Sequence, residues 1–167
     1  SNNNKVACNF LGADVTGLLA RPNNFAISMD GSNTQIGGLT TAERNLISGN
    51  SGQGISLGGD NNIIQGNYIG VDVTGAADLG NGRSGIQVSG ENNTIGGTAS
   101  GAMNVISGNR QYGVTVDSRG VTLPTKKNTI QGNIVGLNAA GTAAVPNDSI
   151  GVFIVESDSN LVGGIVE

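Results

Sequence analysis

The residues able to do chemistry are few in this chain: 8 Lys and Arg, 12 Asp and Glu and no His among 167 residues. Without histidine the commonest general base and metal ligand is gone, so proton transfer or ion binding falls to carboxylates, lysines and arginines. The carboxylates recur in a pattern. Asp30, Asp60, Glu91, Asp117 and the pair Glu156/Asp158 each come within a few residues after a short Φ-x-Φ run, where Φ is aliphatic or Met. Stacking those runs would set the acids along one corner, about 5 Å apart. Such a stripe could coordinate Ca2+ through its oxygens or supply an acid/base pair to a sugar. The separation suits a retaining glycosidase, but any stacked repeat generates it, so spacing alone assigns no reaction. Solvated turns favour the same residues. Three of the bases, Arg119, Lys126 and Lys127, sit in the one unmatched insertion, 118–127 (SRGVTLPTKK), beside that corner. A lyase acting on a uronate sugar needs a base there, and Arg119 or Lys126 next to Asp117 would provide it. A charged surface loop is the ordinary alternative.

The other candidates are weaker. Asp14 and Asp72 are equivalent in the repeated (A/V)DVTG segment, about 9.6 Å apart if two stacked turns separate them. The third copy replaces the acid with Asn138, which favours turn capping over catalysis. Cys8 aligns with Gly66 and Gly132, so it reads as a small corner residue rather than a nucleophile. Tyr112 and Phe153 could each stack on a sugar, but each stands alone. Thr94 and Thr129 are too few for an ice-binding threonine array. The Ca2+-binding nonapeptide of β-roll repeats, GGxGxDxUx, is missing. No cofactor is expected, with Ca2+ at the acidic corner as the one exception.

What must position these residues is a repeat. Gly (29) and Asn (22) dominate, hydrophobics make up 37%, charged residues 12% and aromatics 3%. A collagen triplet is excluded because Gly has no period of three. A disulfide scaffold is excluded by a single cysteine, and disorder by the many β-branched aliphatics. No apolar run approaches the roughly 18 residues of a membrane span. A net charge of −4 and a pI near 4.6 argue against a nucleic-acid partner. The blocks ERNLISGN and AMNVISGN recur, as do NTQIGG and NNTIGG, and NIIQGN and NTIQGN. Aliphatic residues fall into three series. One is Ile27/Met29, Ile55/Leu57, Ile86/Val88, Val114/Val116 and Val152/Ile154. The second is Val6, Ile36, Ile64, Ile95, Ile130 and Val162. The third is Phe10/Leu11, Ile47, Ile69, Ile106 and Val135.

Short aliphatic runs separated by Gly, Asn, Asp and Ser are a strand-and-turn rhythm. The spacing predicts one coil of three short strands per ~31 residues, equivalent strands pairing in parallel. Residues between the inward positions (Ser28, Ser56, Gln87, Thr115) should meet water. Asn33, Asn62, Asn93, Asn128 and Asn160, just before the second series, should stack their amides along the axis. Two coil types alternate. One has a long loop at 38–44 and 97–103; the other has it at 15–24, 73–84 and 139–149.

On NVISGN, NTIGG and NTIQGN, repeated over nearly the whole chain, the sequence resembles the right-handed parallel β-helix repeat family. The resemblance implies an all-β, right-handed parallel β-helix (β-solenoid) with three strands per coil and about five coils, one domain over 1–167. That family includes polysaccharide lyases and hydrolases, phage tailspikes and adhesins. Its polygalacturonase-like members carry an Asp-Asp pair and a Gly-His-Gly, and this chain has neither. Regularity without a dense polar site makes a non-catalytic, extracellular or cell-surface stalk, adhesin shaft or fibre subunit the leading expectation. A carbohydrate-active or polysaccharide-binding β-helix using the acidic corner and loop 118–127 is the alternative. The chain begins and ends on one aliphatic series, at Val6 and Val162. Two readings fit these ends: a segment of a longer solenoid, or end-to-end self-association in which NLVGGIVE leads into SNNNKVACNF and continues the pattern.

Overall fold

A computed structural model of the protein describes residues 2–120 and 125–164. Its strands follow the coils. The first coil holds β1 (Lys5–Val6), β2 (Phe10–Leu11) and β3 (Ile27–Met29). The second holds β4 (Gln35–Gly37), β5 (Leu46–Ile47) and β6 (Ile55–Leu57), and the third β7 (Ile63–Gln65), β8 (Tyr68–Ile69) and β9 (Ile86–Val88). The fourth holds β10 (Thr94–Gly96), β11 (Val105–Ile106) and β12 (Tyr112–Asp117). The fifth holds β13 (Thr129–Gln131), β14 (Ile134–Val135) and β15 (Ile150–Val155), and β16 (Leu161–Val162) opens a sixth. Every third strand pairs in parallel, giving a 6-stranded sheet β1-β4-β7-β10-β13-β16 and 5-stranded sheets from β2 to β14 and from β3 to β15. The chain is an all-β parallel solenoid with three strands per coil, as the spacing predicts.

The three aliphatic series are the inward columns, except that Phe10 of the third faces outward, in register with Leu46 and Tyr68, and Leu11 takes the inward place. Val6, Ile36, Ile64, Ile95, Ile130 and Val162 are each other's register partners. Ile36, Ile64 and Ile95 are fully buried, and together with Ile47, Ile55, Ile69, Ile86 and Ile106 they form one continuous core. Strands this short hold together because each inner coil is covered above and below, not through intrinsic propensity.

Asparagine does the corresponding work at the corners. Ahead of the β2-to-β14 sheet, Asn9, Asn45, Asn67, Asn104 and Asn133 form one ladder. Ahead of the β3-to-β15 sheet, Asn23, Asn50, Asn81, Asn109 and Asn147 form a second. Ahead of the first sheet, Asn62, Asn93, Asn128 and Asn160 form a third. Each unit works alike. Asn67 donates its backbone N–H (2.9 Å) and its Nδ2 (3.0 Å) to Asn104 Oδ1, and Asn104 Nδ2 donates back to the Ile64 carbonyl at 2.8 Å. Buried amides are thus satisfied through both coil interfaces.

Asn33 is not in that third ladder. It sits one residue earlier, in a column of left-handed residues (φ 56°) with Asn61, Asn92, Lys127 and Ser159. Thr34 occupies the ladder position and donates its backbone N–H to Asn62 Oδ1 at 2.8 Å. Thr115 also departs from expectation. Ser28 is exposed, and Ser56 and Gln87 are half-buried, but Thr115 is buried and its hydroxyl lies 3.2 Å from that of Ser84.

The alternating loops have distinct jobs. In the first, third and fifth coils the chain after the second strand folds into a small hairpin, closed by the antiparallel bridges Ala13–Ala20, Val71–Asp78 and Leu137–Ala144. The coils between have only tight turns there, so hairpins two coils apart touch directly: Val73 N–H donates to Gly17 O (3.1 Å) and Ala139 N–H to Gly75 O (2.8 Å). They cover the outer face of the β2-to-β14 sheet with a second apolar cluster around Val71, Val105 and Val145. In the second coil the loop before β5 carries a 3-10 turn, Thr41–Glu43.

β1 and β16 lie at opposite edges of the same sheet. Gly163 (φ 81°) and Gly164 (φ 138°) repeat the conformation of Gly96 (φ 84°) and Gly97 (φ 139°), which open the loop of the fourth coil.

Candidate functional sites: an ion-paired corner and an apolar cleft

Register splits the expected acidic stripe into two columns. In one, Asp117 lies opposite Val155, while Ser89, Gly58 and Asp30 follow in the coils beneath it. Asp30 and Asp117 are therefore three coils apart, about 14 Å. Asp30 lines an open polar hollow with Asn4, Ser28 and Gly31. The other column runs Asp60, Glu91, Lys126, Asp158. Glu91 N–H donates to Asp60 Oδ1 at 2.7 Å, Lys126 Nζ reaches Glu91 Oε1 at 3.8 Å, and Lys126 bridges to Asp158 through its backbone. A lysine thus stands between the acids. Among the described residues no group of three or more Cys, Asp or Glu is placed to hold a metal ion.

Asp117 and Arg119 form a closed pair. Arg119 Nη2 donates to Asp117 Oδ2 at 2.9 Å and Nε to Oδ1 at 3.0 Å, and the Arg119 backbone N–H caps Oδ1 at 2.8 Å. Hydrogen bonding from the guanidinium holds the Asp117 carboxyl below the ordinary aspartate range, and the same bond raises the Arg119 pKa further. A carboxylate held ionised is a poor proton donor, and an arginine held cationic is a poor base. Lys127 sits in the left-handed column with its backbone N–H on Asp158 O (3.2 Å). Glu156 is exposed at φ 49°. Beside Arg119, Tyr112 and Phe153 stack with ring centroids 4.9 Å apart, and the guanidinium carbon lies 5.9 Å from the Phe153 ring. Residues 121–124 of the insertion, including Pro124, lie outside the described residues.

Asp14 and Asp72 cap their hairpins. Asp72 Oδ1 accepts from the Thr74 hydroxyl (2.7 Å), Ala76 N–H (3.1 Å) and Ala77 N–H (3.2 Å), and Asp14 Oδ1 repeats the set. Asn138 Oδ1 accepts from Thr142 and Ala143 N–H, so the amide does the acid's structural work in the third copy. Cys8 has φ 62°, matching Gly66 (70°) and Gly132 (64°) at its corner.

One further site was missed at the level of the sequence. Between the second coil's loop and the hairpins, the outer face of the β2-to-β14 sheet carries a mostly apolar cleft of about 240 Å3, lined among others by Phe10, Thr41, Arg44, Leu46, Tyr68 and Val73. Arg44 lies over the Tyr68 ring, 4.0 Å from its centroid, and its Nε donates to Gly66 O at 3.2 Å. The signal that could have found it is a break in the repeat: Met103 and Ile134 stand two coils on, where Arg44 and Tyr68 stand here. Comparison of the chain with protein-family models, with curated proteins and with solved structures returns no match, so its function has to be read from this geometry.

Proposed function

We propose that this chain is a non-catalytic structural module, a rigid solenoid rod serving as surface stalk, adhesin shaft or filament segment outside the cell or at its surface. The observation that carries this reading is the continuity of the three aliphatic columns and three amide ladders through the successive coils. A coil inside such a stack opens only by breaking both of its interfaces, which suits a load-bearing or spacing element. The charged corner supports the same reading: its groups neutralise one another, whereas catalytic groups are held at pKa values poised for proton transfer. Sedimentation velocity and electron microscopy at rising concentration should show a rod of constant cross-section, and incubation with a uronate polysaccharide should leave the polymer intact. Depolymerisation that disappears in Asp117→Ala or Lys126→Ala would overturn the proposal in favour of a carbohydrate-active β-helix.

A further inference from the structure

We propose that the cleft formed by Phe10, Arg44 and Tyr68 is a binding site for an organic carboxylate whose apolar body is about the size of one aromatic ring with a short chain. Cavities of roughly 150 Å3 take up benzene, and this cleft is about 240 Å3. It is walled by Leu46, Val73 and the half-exposed Phe10 ring, so the apolar body has a place to leave water.

The anionic end is specified by Arg44. Arg44 is half-buried, its guanidinium carbon 4.0 Å from the Tyr68 ring centroid and its Nε bonded to the Gly66 carbonyl, so little side-chain freedom is left for a ligand to freeze. Nε is spent on the Gly66 carbonyl, while Nη1 and Nη2 have no hydrogen-bond or ion-pair partner among the described residues. Those two groups form the end-on fork that a carboxylate meets with two parallel bonds. The nearest acid in sequence, Glu43, is turned away to Lys5 Nζ (2.6 Å) and the Thr40 hydroxyl (2.9 Å), so it does not serve as counter-ion. A structural role alone does not require this pair. The fourth coil builds the same corner with Met103 over Ile134, and Ala102 takes the place of Glu43.

The test is calorimetric titration with 3-phenylpropionate and with its uncharged amide, 3-phenylpropanamide. The acid should bind about ten- to hundredfold more tightly than the amide, the range of a charge-assisted hydrogen-bonded pair, and added salt should weaken the acid more than the amide. Arg44→Met installs the residue the fourth coil already accommodates. It should bring the acid down to the affinity of the amide without lowering the melting temperature. Met103→Arg combined with Ile134→Tyr should create a second site on the same molecule, a result that does not depend on the Arg44 variant folding. An acetylated peptide ending in phenylalanine separates the sources: tighter binding than 3-phenylpropionate identifies a chain terminus as the ligand, and weaker binding a free small acid. Equal binding of acid and amide, no heat from either, or an Arg44→Met variant that binds the acid unchanged would each overturn the proposal.

Discussion

At the scale of single residues, the fold is held by amides that an apolar side chain cannot replace. Asn67 is fully buried; it accepts from Asn45 and donates to Asn104, Ile36 and Gln65. Asn67→Ala strands polar groups on both neighbouring coils and should lower the unfolding free energy by about 3 kcal/mol in a urea titration. Thr34 is the one break in the third ladder, so Thr34→Asn should raise stability by about 1 kcal/mol in the same measurement. Two glycines separate backbone strain from crowding. Gly37 (φ 81°) and Gly136 (φ 82°) share a conformation, but a Cβ on Gly37 would run into the Gln65 carbonyl oxygen, whereas one on Gly136 would meet nothing. Gly136→Ala should therefore cost about 1 kcal/mol, the left-handed penalty alone. Gly37→Ala should cost at least twice as much, because a paired backbone carbonyl cannot move aside. Much of this was legible in the sequence, since aliphatic and Asn-Gly spacings mark both column and corner. Two of the three ladders were not, because Asn45 and Asn104 sit in a differently shaped coil from Asn67. The one-residue offset of Asn33 was legible by counting, since it stands three residues before Ile36 whereas Asn62, Asn93, Asn128 and Asn160 stand two before Ile64, Ile95, Ile130 and Val162.

At the scale of elements, the loops divide the labour that the strands share. The second coil's 3-10 turn is fastened by Glu43, which bonds Thr40 and reaches back to Lys5 on the first coil. The hydrogen bond from Lys5, with those from Thr40, draws the Glu43 carboxyl from its ordinary 4.5 to about 2. A depressed folded-state pKa adds stability above the unfolded value, and that stability is lost as pH falls through the folded one. Urea midpoints should therefore fall more steeply between about pH 4.5 and pH 2 in the native chain than in Glu43→Gln. Loop positions were readable as alternating insertions in the repeat. Their packing was not, because contact between hairpins depends on the empty space left by the short turn between them. That packing gives the β2-to-β14 sheet an apolar outer face and walls the cleft at Arg44. The acid corner splits on small differences in spacing: Asp30 and Asp117 follow the paired residues Met29 and Val116 by one position, Asp60 and Glu91 follow Leu57 and Val88 by three, and the insertion brings Lys126 level with Glu91 and Asp158.

At the scale of the whole molecule, the repeat unit is a pair of coils, not one. A second copy of residues 37–95 inserted after Ile95 preserves the alternation, and the longer chain should melt several degrees higher, since each added interface stabilises its neighbours. Scattering should show a rod about 9.6 Å longer. A second copy of residues 37–64 after Ile64 adds a single coil and separates the hairpins at Gly17 and Val73, so this variant should melt below the native chain. The asparagine ladders also give the rod a one-way grain. A rung such as Asn67, Asn104 or Asn109 gives one side-chain proton to the amide oxygen of the coil that follows and returns the other to a backbone carbonyl of the coil before, so the ladder oxygens all face the start of the chain. Two rods meeting first coil to first coil would set ladder oxygen against ladder oxygen. Anything that lengthens the structure must approach in a single sense, as a nascent chain does when each emerging turn offers amide oxygens to the donors left waiting by the turn before.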